Sequence, residues 1–90
     1  MLQFEWDPRK ASANHAKHGV SFREAVTVFG DSLSLTVPDP SAEGEPRYVI
    51  LGMSSGGRLL VVVHADRGDR IRLISARRAS AREVNDYESG

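Results

Sequence analysis

The chain has 90 residues, with 12 Lys or Arg against 12 Asp or Glu, a formal net charge of zero and no cysteine. That length sets a single domain, residues 1–90, with a small core, and the missing cysteines exclude disulfides and thiolate metal sites. The longest apolar run, Leu59 to Val63, is far too short to cross a membrane, and the N-terminal stretch lacks the basic-then-apolar layout of a signal peptide, so a cytoplasmic protein with no membrane contact is expected.

Leu2 to Trp6 alternates and reads as a short strand, with Phe4 and Trp6 on one side and Gln3 and Glu5 on the other. Trp6 is expected in the core. Asp7-Pro8 starts a helix, with Asp as the cap and Pro at the first helical position. The helix runs to about His18, and Gly19 stops it. At 100° per residue, Lys10, Asn14, Lys17 and His18 fall within about 100° of arc. This helix therefore presents a stripe of two amines, an amide and an imidazole. Ser21-Phe22-Arg23-Glu24 reads as a capping box. A second helix follows from Phe22 to about Phe29, with Phe22, Ala25, Val26 and Phe29 on its apolar arc. Leu33 to Val37 reads as a strand with Leu33, Leu35 and Val37 on one face. Pro38, Pro40 and Pro46 bracket an acidic loop, Asp39 to Glu45, and Arg47 to Met53 is the next strand.

Ser54-Ser55-Gly56-Gly57 turns the chain into a hairpin of Arg58 to Asp66 and Arg70 to Arg77. A three-residue loop, Arg67-Gly68-Asp69, would pair Asp66 with Arg70, His64 with Arg72, Val62 with Ile74, Leu60 with Ala76 and Arg58 with Arg78. A two-residue turn would oppose Arg67 to Arg70 and His64 to Leu73, setting like charges together, so the three-residue loop is preferred. In that register Arg77 lies on the apolar face, away from Arg58 and His64, unless it lies past the strand end or a bulge near Ser75 shifts the phase. Ser80-Ala81-Arg82-Glu83 is a second capping box. The last helix, Ala81 to about Glu88, docks through Val84 and Tyr87. The class is α+β, in the order β-α-α-β-β-β-β-α.

The zero net charge hides an asymmetry. Between Arg58 and Arg82 stand seven arginines and His64 against Asp66 and Asp69, about +5 with the histidine neutral. Arg suits phosphate and carboxylate, so a polyanion, or an acidic protein that masks it, is the expected partner. The competing reading is a solvated face with ion pairs such as Asp66–Arg70. His15 and His18 lie at i and i+3, but no third ligand is placed and Lys10 and Lys17 would repel a cation, so no metal and no cofactor are expected. There is no nucleophile elbow and no phosphate-binding glycine motif. Phosphodiester cleavage without a metal fits better. RNA supplies its own nucleophile, the 2′-OH; histidine suits proton transfer, and Arg and Lys suit charge on the phosphoryl oxygens. The chain offers His18, His64, Lys10, Lys17, Arg58, Arg72 and Arg77 for this.

The segments FEWDPRK, Asn14, KHGVSF-x-EA (Lys17 to Ala25), F-x-D (Phe29 to Asp31), RLLVVVH and ISARRAS-x-RE, taken in this order, resemble the BrnT family of bacterial toxins. The resemblance covers nearly the whole chain. It implies a RelE-like fold, a mainly antiparallel sheet packed with helices, and a small ribonuclease of a type II toxin–antitoxin pair. It also implies a ribbon-helix-helix antitoxin, a heterotetramer of two toxins with two antitoxins, and repression of the operon through operator DNA bound by the antitoxin. The family's polar positions fall on Lys10, Asn14, Lys17, His18, Arg58, Ser75, Arg77 and Glu83. With this support, Lys10, Lys17, His18, Arg58 and Arg77 are expected to be catalytic and Asn14 to bind RNA; His64, for its chemistry alone, and Arg70, Arg72 and Arg78 of the basic hairpin are expected to bind RNA as well. The alternative is a non-catalytic module that holds nucleic acid or a partner, an inactive homologue kept in a repressor complex.

Overall fold

The computed structural model describes residues 2–90. Five strands form one sheet in the order β1-β5-β4-β3-β2. They are β1 (Gln3–Glu5), β2 (Leu35–Pro38), β3 (Tyr48–Met53), β4 (Leu59–Arg67) and β5 (Arg70–Arg78). All pairs are antiparallel except β1 with β5, which is parallel and covers only Arg70 to Arg72 of β5. The helices are α1 (Pro8–His18), α2 (Phe22–Val26) and α3 (Ala81–Ser89). The expected element order is the observed one, with a modest change: the second helix tightens after Val26 into a 3₁₀ turn, Thr27–Gly30.

Local chemistry sets the helix ends. The Asp7 carboxylate accepts from Arg9 N at 2.8 Å, and Gly19 ends α1 at φ 68°, donating its N–H to the His15 carbonyl, a conformation that costs glycine little. Val20, Phe22, Ala25 and Val28 then bury against Ile50, Leu60, Val62, Leu73 and Ala76 on one face of the sheet. Phe4 packs on Phe29 with centroids 5.0 Å apart, and Trp6 meets Phe22 edge-on at 5.9 Å, so Trp6 joins the packing around the core. Gly52 lets the 3₁₀ turn approach β3 closely: a Cβ there would lie 3.2 Å from both the Val28 side chain and the Val28 carbonyl.

Helix α3 lies over the opposite face. Tyr87 donates to Asp31 Oδ2 at 2.6 Å, and the same carboxylate accepts from Met53 N and Leu33 N. Asp31 thus ties α3, β3 and the start of the β2 segment together. The capping box at Ser80 and Glu83 is complete. At Ser21 only half of the expected box forms: Glu24 N donates to Ser21 Oγ, while the Glu24 carboxylate turns elsewhere.

The hairpin corrects two expectations. Its loop has two residues, with Gly68 at φ 65°, and Arg67 pairs with Arg70 and His64 with Leu73. A shift at Val63/His64 then makes Val63 pair with Ser75 and Leu60 with Arg78, leaving Ile74 as the extra residue. The bulge explains the choice. Without it, Leu73 and Ala76 would face opposite sides of the sheet; with it, both turn to the helix layer. The like-charge pair is tolerated because Arg67 lies 2.8 Å from Glu45 and Arg70 3.5 Å from Glu5. Leu33 precedes β2 and is 69% exposed, so it does not share a buried face with Leu35.

Candidate active site

The stripe on α1 meets β5 at the bulge. Beyond Arg72 no strand among the described residues pairs with the outer edge of β5, and α1 lies there instead. Asn14 is the contact. Its Nδ2 donates to the Ala76 carbonyl at 2.8 Å and to the Val20 carbonyl at 3.0 Å, and its Oδ1 accepts from Ala76 N at 3.0 Å. One side-chain amide thus pairs with a peptide as a neighbouring strand would, and it satisfies backbone groups that would otherwise be buried and unpaired. Asn14 is buried, and its amide holds the fold.

On either side of Asn14 the stripe stays open. Lys10, Ala13, Asn14, Lys17, His18, Ile74 and Ser75 line a cleft of about 230 Å³. Lys10 and Lys17 are exposed and His18 is half-buried. Lys10 and Lys17 are two turns apart, about 10.5 Å along the helix. The cleft is therefore lined by two amines and an imidazole from α1 and by a serine hydroxyl from the strand. The bulge matters here because it places Ile74 and Ser75 beside the helix.

The arginines are distributed differently from the expectation. Five of the seven between Arg58 and Arg82 pair with glutamates: Arg58 with Glu24, Arg67 with Glu45, Arg70 and Arg72 with Glu5, and Arg77 with Glu83. The basic face is therefore largely neutralised by glutamates from other segments, and Asp66–Arg70 is not among the pairs. Arg58 donates Nε to Glu24 Oε2 at 3.0 Å, pairs through Nη2 with Glu24 Oε1, and reaches the Gly19 carbonyl at 3.2 Å. It thus braces the residue that follows His18. Arg77 lies on the α3 face, across the sheet from α1, and holds Glu83 through two bonds of 2.8 and 2.9 Å. The bulge does not bring Arg77 to the side of Arg58 and His64. Arg70 and Arg72 share that α3 face near the turn. Arg78, two residues beyond Ala76, is exposed on the α1 side.

His64 sits in the core at 5% exposure, its ring 4.9 Å from that of Phe29 and 6.0 Å from that of Tyr48. Burial lowers its pKa, disfavouring the charged form. At 5% exposure it offers RNA almost no surface, in contrast to the expectation from its chemistry alone. Glu24 and Ser54 are the residues that the sequence reading missed as parts of this region. Ser54 Oγ donates to Glu24 Oε2 at 2.6 Å and accepts from Arg58 N. The signal was a glutamate in a capping position that an arginine could draw away.

Two of the arginine-bound carboxyls, Glu24 and Glu83, are strongly acidic. The Arg58 guanidinium holds Glu24 down at about 2, and Arg77 holds Glu83 at about 2, each from the ordinary 4.5. The unfolded chain therefore takes up these protons first as pH falls. The stability from the two pairs is full above pH 4.5 and is lost as pH falls toward about 2. Denaturation midpoints followed from about pH 6 to about pH 2.5 are expected to fall with acid, and Glu24→Gln is expected to flatten that fall. An unchanged slope in the variant would remove Glu24 from the account.

The comparisons with known proteins agree with this architecture. The chain matches the family model described as ribonuclease toxin, BrnT, of type II toxin-antitoxin system, over residues 6–83. It also matches the 1.1 Å crystal structure of the Brucella abortus ribonuclease toxin BrnT, with a TM-score of 0.71 and 24% identity, covering 89% of this chain and 99% of that one. No curated protein sequence matches it. At that identity the structural likeness speaks for the fold. The family match runs from Trp6, which packs on Phe22, to Glu83, which holds Arg77, and so spans every element except β1 and most of α3. The chain belongs to the BrnT family of ribonuclease toxins of type II toxin–antitoxin systems.

Proposed function

We propose that this chain is a metal-independent endoribonuclease toxin that cuts mRNA in the cleft between α1 and the β5 bulge. The observation that supports this reading is the meeting of Lys10, Lys17, His18 and Ser75 in one open cleft, in a member of a ribonuclease toxin family. In the reaction the RNA 2′-oxygen attacks the adjacent phosphorus and the bond to the 5′-oxygen breaks, leaving a 2′,3′-cyclic phosphate and a 5′-OH. His18 accepts the 2′-OH proton. Lys10 and Lys17 balance the charge that develops on the phosphoryl oxygens, and the departing 5′-oxygen takes its proton from one of these lysines.

Arg58 acts as a positioning residue, through Glu24 and the Gly19 carbonyl. Arg78, which forms no ion pair with a carboxylate among the described residues, follows the RNA backbone. Arg70, Arg72 and Arg77 lie on the far face, bound to glutamates, and take no part in this step. Among the described residues no helix is long and apolar enough to cross a membrane, and the reading places the toxin in the cytoplasm. There a ribbon-helix-helix antitoxin neutralises it. Two toxins and two antitoxins assemble and repress their operon through operator DNA.

The test is direct. Purified chain is incubated with a defined single-stranded RNA in the presence of EDTA. Cleavage leaving cyclic phosphate ends, and its loss when the attacking 2′-OH is replaced by hydrogen, is the expected result. Intact RNA that the chain nonetheless binds tightly would overturn the enzyme and leave a non-catalytic module.

A further inference from the structure

The far side of the sheet carries a second, chemically opposite surface. Strand β2 is an edge strand, and Val37 on it is 55% exposed. Leu35, Val37, Val49 and Leu51 form the floor of a groove of about 200 Å³ that α3 closes on one side with Glu83 and Asp86. Nearby Leu33 and Met53 are also exposed, at 69% and 39%. Contiguous apolar surface of this kind on a small domain marks a contact site. Its rim is acidic. Glu83 is already matched by Arg77, but Asp86 has no cation partner among the described residues.

These features select the occupant. A phosphate backbone would meet carboxylates over an apolar floor, so RNA is disfavoured. A second copy would set two acidic rims together. A peptide segment with branched apolar side chains and a Lys or Arg facing Asp86 fits both floor and rim. We infer that this groove, along the β2 edge and α3, is where the antitoxin docks, through an amphipathic segment with a basic residue. The inference rests on the toxin–antitoxin reading above, but it assigns a surface separate from the RNA cleft: the groove lies on the α3 face and the cleft on the α1 side. Antitoxin bound there leaves Lys10 and Lys17 uncovered by the docking contact itself.

Val37→Lys and Asp86→Lys test this, because both side chains are exposed and neither belongs to the cleft. The probe is the product of the adjacent gene, co-expressed and then titrated against each purified toxin. The double variant is expected to lose at least about tenfold in affinity for it, with RNA cleavage and thermal midpoint unchanged. Lys10→Glu/Lys17→Glu is expected to retain affinity. Unchanged affinity in the groove variant, loss of affinity in the cleft variant, or no binding of the neighbour's product by the unaltered chain would each overturn the proposal. So would sedimentation of the free toxin as a dimer that Val37→Lys splits, since a second copy would then own the groove. If the unaltered chain leaves RNA intact but binds the neighbour's product through this groove, the ribonuclease reading fails and the docking surface stands.

Discussion

His18→Ala is expected to slow RNA cleavage by about 100- to 10,000-fold, the range for loss of a positioned proton-transfer group. The fold has little reason to suffer. His18 is half-buried in the last turn of α1, and Gly19 supplies the helix stop whatever side chain precedes it. Thermal midpoints of the variant and the unaltered chain should therefore agree within a few degrees. Lys10→Ala and Lys17→Ala are expected to cost about tenfold or more each, because each removes one cation from the cleft where phosphoryl charge develops. The measurement is initial rate on a defined RNA at matched protein concentration, alongside growth after induction at matched abundance. A His18→Ala chain that cleaves at the full rate would take the imidazole out of the chemistry. The two lysines and Ser75 would then be the remaining groups of the cleft.

Asn14→Ala should act on stability instead. It strands the Ala76 N–H, the Ala76 carbonyl and the Val20 carbonyl at a buried contact. At roughly 1 kcal/mol or more for each lost bond, the total is about 3–5 kcal/mol, a large part of the stability of a domain this size. The thermal midpoint should fall by about 15 °C or more. Asn14→Asp separates shape from hydrogen bonding. The carboxylate can still accept from Ala76 N, but it sets an oxygen against two carbonyls, so it should destabilise nearly as much. An Asn14→Asp chain that melts normally but no longer cleaves RNA would restore the direct RNA contact that the sequence suggests.

These two experiments also mark the boundary between pattern and packing. Lys10, Asn14, Lys17 and His18 are legible as one stripe because helical spacing is local and fixed. The spacing cannot say that Asn14 turns inward to close a strand edge while its neighbours stay open. The same holds for the hairpin. Its two strands are plain from their apolar runs, yet its register follows from where Ile71, Leu73 and Ala76 can bury. That requirement comes from the helix layer, which pairing rules applied to the hairpin alone do not contain.

Electrostatics divides in the same way. The arginine count of the C-terminal half is visible in the sequence, and so is its suitability for a polyanion. Its cancellation is not, because Glu5, Glu24 and Glu45 reach those arginines from segments 22 to 67 residues away. What the sequence by itself determined is the element order, the caps at Asp7, Gly19, Ser21 and Ser80, the helix stripe and the family. The tertiary structure decided the two-residue turn, the bulge at Ile74, the burial of His64, the placing of Arg77 across the sheet and the pairing of each glutamate. Caps and helical faces depend on neighbours a few residues apart, whereas register, burial and ion pairing depend on contacts that exist only once the layers have packed.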